Sequence, residues 1–227
     1  ERDWIMATTQ TAPYGSWKSP ITSDLIVAGS LRLGEMRLDS GAENDTLYWL
    51  EGRPTEGGRN VLVKRLPDGT TQDLTAADFN VRTRVHEYGG GAYIVHNGRV
   101  YFSNFADQRL YMQQAGEDAI ALTAEYDKAA MRYADAVVDE TRNRLICIRE
   151  DHTGEGEAVN AIVAIALSNP GNATQTVLTS GHDFYSSPRL SPDGSKLAWL
   201  TWDHPDMPWD GTELWMADVD ASGGLST

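Results

Sequence analysis

The stretch RTRVHEYGGG, residues 82–91, places three side chains able to bind a small polar ligand just ahead of three consecutive glycines. Arg84, His86 and Glu87 stand just before a glycine run that enters an innermost strand, a location expected to put them near a central channel. The glycines at 89–91 let backbone or ligand approach closely. A plainer role also fits these residues: the glycines relieve crowding, while His86 and Glu87 tie neighbouring elements together by hydrogen bonds. A second stretch, REDH at 149–152, offers Arg149 to a substrate carboxylate, and Glu150 and Asp151 to an amine; its plainer role is a solvated loop. Arg84, His86, Glu87, Arg149 and Glu150 are therefore the candidate binding residues. A third stretch, TWDHPDMPWDG at 201–211, is a loop in which Trp202 and Trp209 are expected to pack over a sheet edge, stiffened by Pro205 and Pro208.

Other chemistries find little support. Cys147 is the single cysteine, so an intrachain disulfide and a cysteine-based zinc site are excluded. It lies in the apolar run RLICIRE, which predicts a buried structural thiol rather than a nucleophile. The five histidines (86, 96, 152, 182, 204) are scattered, with none at the helical i, i+4 spacing of a zinc site. No metal or nucleotide cofactor is expected. The sequence holds no G-x-S-x-G; DASGG at 220–224 has Asp where the first Gly belongs and sits at a polar turn.

The elements that must position these residues repeat along the chain. TLYWLEG, RVYFSNF, RLICIRE and KLAWLTW are short, apolar and aromatic or β-branched, with equivalent Leu or Val at 47, 100, 145 and 197. Each is preceded by a strand and turn signal and followed by a third strand. Three of the units end in a fourth strand of similar sequence, TTQDLTA, AIALTA and TQTVLTS, while the last unit runs out at ASGGLST. Four strands per unit at roughly 45 to 50 residues is the period of a β-propeller blade. Turn residues agree: SPDG at 191–194 and Asn97-Gly98 are tight-turn signals. The fold class read here is all-β, a propeller of four-stranded antiparallel blades with about four blades represented. The expected boundaries are an N-terminal extension over 1–15, then a propeller over 16–227 with blades near 31–76, 84–124, 132–180 and 184–227. Trp199 and Trp215 are expected in the core. DLIVAGS at 24–30 reads as an extra strand able to pair into the last blade, which lacks a clear fourth strand. DKAAMRYADA has room for a helical turn or two.

Composition bounds the partners. Asp and Glu number 33 against 19 Lys and Arg, a formal charge of −14, which disfavours nucleic acid and anionic membranes. No apolar run approaches the roughly 18 residues that span a bilayer. The lone cysteine fits a reducing compartment, and the first residues show no apolar signal segment, so the cytoplasm is the expected location.

The repeat SPDGSKLAWL resembles that of TolB-type and peptidase propellers. With TAPYGSWKSPIT at 11–22, HEYGGGAY at 86–93 and WDHPDMPWDGTELW at 202–215, the chain resembles the N-terminal propeller of the prolyl oligopeptidase family of serine peptidases, in its acylaminoacyl-peptidase and dipeptidyl-aminopeptidase-like branch. That resemblance implies a propeller that gates and positions small peptides for an α/β-hydrolase domain bearing a Ser, Asp and His triad. This sequence has no such domain, so catalysis is expected from residues beyond Thr227, and none from the chain alone. An arc missing further blades would expose strand edges and apolar faces, which favours self-association. The alternative reading is a free-standing TolB-like propeller that binds a protein or peptide.

Overall fold

A computed structural model describes residues 11–27, 30–41, 45–171 and 173–226. Among the described residues sixteen strands form four antiparallel four-stranded sheets, each built from consecutive strands. The first sheet holds β1 (Arg32–Asp39), β2 (Thr46–Arg53), β3 (Arg59–Arg65) and β4 (Thr71–Asp73). The second holds β5 (Tyr93–His96), β6 (Arg99–Ser103), β7 (Leu110–Gln114) and β8 (Ile120–Ala121). The third holds β9 (Met131–Asp139), β10 (Arg144–Asp151), β11 (Val159–Ala166) and β12 (Gln175–Ser180). The fourth holds β13 (Phe184–Leu190), β14 (Lys196–Trp202), β15 (Glu213–Val219) and β16 (Leu225–Ser226).

The sheets stack face to face because their central strands are apolar on both sides. Successive strand residues point to opposite faces. In β10, Leu145 and Cys147 pack with Tyr101, Leu110 and Leu122 of the second-sheet region, while Ile146 and Ile148 pack with Tyr185, Leu197 and Trp199 of the fourth. A third cluster, including Tyr48, Leu62, Tyr93 and Phe102, joins the first sheet to the second. Cys147 is a buried free thiol, as its apolar run predicts. The turns follow the sequence signals: Asn97 and Gly98 both take positive φ (51° and 74°) between β5 and β6, the geometry that suits a two-residue hairpin.

The inner strands β1, β9 and β13 each carry a bulge at one equivalent place. There Glu35, Asp135 and Ser187 take φ of 46°, 53° and 54°. The bulge turns the two acidic side chains onto neighbouring sheets. Glu35 Oε2 accepts the Ala92 amide at 2.9 Å. Asp135 accepts the amides of Gly91 at 2.6 Å and Ser187 at 3.1 Å, so it links the third sheet to both its neighbours.

Several expectations are corrected. The expected extra strand at 24–30 is not seen over 24–27: Ser23–Val27 is one helical turn, started by the Thr22 hydroxyl accepting the Leu25 amide, and 28 and 29 lie outside the described residues. The last sheet does have a fourth strand, β16, paired through Val219 and Leu225. Trp199 is buried but Trp215 is 41% exposed. Although Trp215 lies opposite Trp199, it sits on β15, toward the outer side of the last sheet, where the neighbouring Leu214 is 75% exposed. Trp209 is also exposed rather than packed over a sheet edge. In 127–136, a 3₁₀ turn at Asp127–Ala129 leads directly into β9. At the other end of the stack, Leu31, Leu33, Met36 and Leu38 are exposed, since no described sheet covers that face of β1. Of the expected N-terminal extension, 1–10 lie outside the described residues.

Candidate functional site

A cavity of about 410 Å³ lies at the end of the stack where the long loops gather. His86, Glu87 and Tyr88 reach it from the connection into the second sheet. Glu150, His152, Glu157 and Asn160 come from β10, β11 and the loop between them. Asp183, Phe184, Trp202, His204 and Met207 come from the start of β13, the end of β14 and the loop that follows.

Its wall is aromatic. Phe184 and Trp202 stack nearly parallel, with centroids 5.3 Å apart and 12° between planes. The His86 ring packs edge-on to both. His86 and Glu87 adopt left-handed backbone conformations (φ 57° and 64°) that non-glycine residues rarely hold. They are held there from outside: Glu150 Oε1 accepts the His86 amide at 3.1 Å, and the Glu87 amide donates to Arg84 O at 2.9 Å. Arg132 Nη1 fastens the same turn, donating to Glu87 Oε1 (2.6 Å), Arg84 O (3.0 Å) and Glu150 Oε2 (3.1 Å).

The polar atoms offered to the cavity are mostly acceptors. His86 is 8% exposed, and its Nε2 has no partner. Burial pushes its pKa down, so the ring is neutral at pH 7. Asn160 donates its amide to Asp183 O at 2.6 Å and leaves its buried Oδ1 unpartnered. The hydrogen bond from Arg132 holds Glu87 below the usual carboxylate range. Asp183 is lowered as well, first by the His204 amide and then by the His204 ring. Carboxylates and buried acceptors beside a stacked aromatic pair are features that suit a donor-rich cationic group, such as an ammonium, carried on an apolar body.

The fold brings together His86, Glu87 and Glu150 and separates the two arginines from them. Arg84 turns its guanidinium over the Phe105 ring, 5.5 Å from the centroid. Arg149 and Glu150 are adjacent on β10, so their side chains take opposite faces; Glu150 reaches the cavity and Arg149 is not on its lining. Sequence reading missed Asn160, Asp183 and Phe184, which no local motif distinguishes. It also missed Arg132, whose signal was a lone cation in an apolar strand. Trp202 was seen, but only as packing. Among the described residues no group of three or more His, Cys, Asp or Glu is arranged to hold a metal ion, and no helix is long and apolar enough to cross a membrane.

Four stacked four-stranded sheets, with their long loops gathered at one end, define a propeller-type β domain. Comparison with solved structures places it further. Over 96% of its length the chain is similar, at 36% identity and a TM-score of 0.84, to a puromycin-hydrolyzing peptidase of Mycobacterium tuberculosis. A puromycin hydrolase structure matches with the same values. TolB from Acinetobacter baumannii shares the fold alone, at 14% identity and a TM-score of 0.52 over 79% of the chain. No protein-family model and no curated protein sequence matches. The chain is a propeller-type β-sheet domain of the prolyl oligopeptidase family, as its resemblance implied. It spans 35% of the length of those two peptidases.

Proposed function

We propose that this domain receives the amino end of small peptide-like substrates and positions them for an α/β-hydrolase domain carrying the serine-peptidase chemistry, in the cytoplasm. The observation that carries this reading is the cavity itself. His86 Nε2 and Asn160 Oδ1 stand buried and unpartnered beside the Glu87 and Asp183 carboxylates and the Phe184–Trp202 stack. Buried acceptors left unmatched carry a free-energy cost that a bound donor removes. The likeness to peptidases at 36% identity supports the reaction class, and the single buried cysteine supports the compartment. In this reading Glu87, His86 and Glu150 form or support the amine-binding side. Arg84 and Arg149 act outside the cavity, bracing the loops around it. The hydrolase domain is the partner.

The test is a titration of the purified chain followed by tryptophan fluorescence. Phenylalanine amide, with a free amino group, is compared with its N-acetylated form. The free amine is expected to bind about tenfold or more tighter, because capping removes both the charge and the donors. Glu87→Gln together with Asp183→Asn is expected to abolish the preference. Equal binding of the capped and free ligands would overturn the reading.

A further inference from the structure

A second cavity, also about 410 Å³, lies at the opposite end of the inner strands, between the turns that close the first hairpin of each sheet. All four inner strands line it: Arg37 from β1, Ile94, Val95 and His96 from β5, Ala136, Val137 and Val138 from β9, and Arg189 from β13. Arg37, Val137 and Arg189 occupy equivalent places, each two residues past its strand's bulge residue, Glu35, Asp135 or Ser187. Two of these equivalent positions therefore bring a guanidinium to the lining of one space.

In a chain of net charge −14, both arginines lack a salt bridge to any described carboxylate. Arg37 Nη1 makes only a long contact to its neighbour's carbonyl, Met36 O, at 3.4 Å. Arg189 Nη1 donates to the adjacent Pro188 O at 2.8 Å. Acids stand nearby but are engaged elsewhere. Glu35 lies within electrostatic range of Arg37, yet its carboxylate faces the Ala92 amide. Glu140, on the neighbouring rim, is taken by His96 Nε2 at 2.5 Å and by Asn97 Nδ2 at 2.8 Å. No carboxylate lines the cavity.

We infer that Arg37 and Arg189 form an oxyanion site at this end of the inner strands, which takes the carboxylate of an acidic peptide or a free phosphate. Each guanidinium has five N–H donors in a fixed fork matched to such oxygens. The site is independent of the amine-binding cavity: it lies at the other end of the stack and has the opposite charge preference.

Isothermal titration of the purified chain with tri-glutamate, inorganic phosphate and tri-lysine tests the inference. Binding of tri-glutamate or phosphate, but not of tri-lysine, is expected below about 1 mM. Arg37→Gln and Arg189→Gln, each at an exposed position, are expected to weaken it about tenfold apiece, with added salt weakening it further. Phosphate binding alone would identify the ligand as a free oxyanion; binding of tri-glutamate alone would identify peptide carboxylates. Absence of binding by both anions, or affinity unchanged in both variants while their circular dichroism matches the parent, would overturn the site.

Discussion

Asp135 Oδ1 accepts the amide of Gly91 at 2.6 Å, and a side chain on Gly91 would have to share that space. A Cβ built there lies 2.7 Å from the same carboxylate oxygen. The glycine is required by this close approach between two sheets, and the run of glycines in HEYGGGAY is explained by packing.

Gly91→Ala should therefore destabilise the chain by about 2 kcal/mol, because Asp135 must turn away from the amides it holds. Gly154→Ala, where no atom lies within 4 Å of the added Cβ, should be close to neutral. Urea unfolding of the two variants measures the difference; equal midpoints would refute the packing account.

Arg132→Met should destabilise by about 3 kcal/mol, since it strands the Glu150 carboxylate, 4% exposed, without its guanidinium. Urea unfolding of parent and variant measures the loss; unchanged midpoints would show that the pair does not hold the turn.

Glu35 supplies a test with a defined sign. Burial is the largest influence on its carboxyl and raises its pKa above 4.5, against the lowering effects of the Ala92 amide and Arg37. The native state thus holds this proton more tightly than the unfolded chain. Its contribution is full below the unfolded pKa and is lost as pH rises through the native one. Many acids here shift the other way, so total stability does not isolate the effect. The difference between parent and Glu35→Gln does: melting temperatures should move in favour of the glutamine variant as the pH rises above about 4.5.

Cys147 should resist Ellman's reagent under native conditions and react once, stoichiometrically, in denaturant. Burial pushes its thiol pKa far up and removes the nucleophilic thiolate at neutral pH. Rapid labelling of the folded chain would contradict the burial.

The architecture was legible because its signals are local. TLYWLEG, RVYFSNF, RLICIRE and KLAWLTW coincide with β2, β6, β10 and β14, whose short continuous apolar runs announce a strand packed on both faces. The exposed Trp215 was not legible, since β15 carries the same kind of short apolar run, LWM, as a covered strand. Nor was the one-turn helix at Ser23–Val27, where an apolar run of strand-like composition is overruled by the Thr22 cap. The cavity was half legible. His86, Glu87 and Glu150 carry recognisable chemistry, but the choice between Arg149 and Glu150 depends on strand phase. Asn160 and Asp183 join them only through pairings between distant parts of the chain.

The hydrogen bond from the His86 amide to Glu150 spans 64 residues of chain and lies beside a cavity whose far wall is supplied by the fourth sheet. Contacts of such long sequence separation form slowly, because the intervening loop must lose its freedom first. The cavity is therefore a clock for folding. Each sheet can pair its own neighbouring strands early, whereas Trp202 meets the His86 ring only when distant sheets have docked, so the cavity takes shape after the secondary structure is complete.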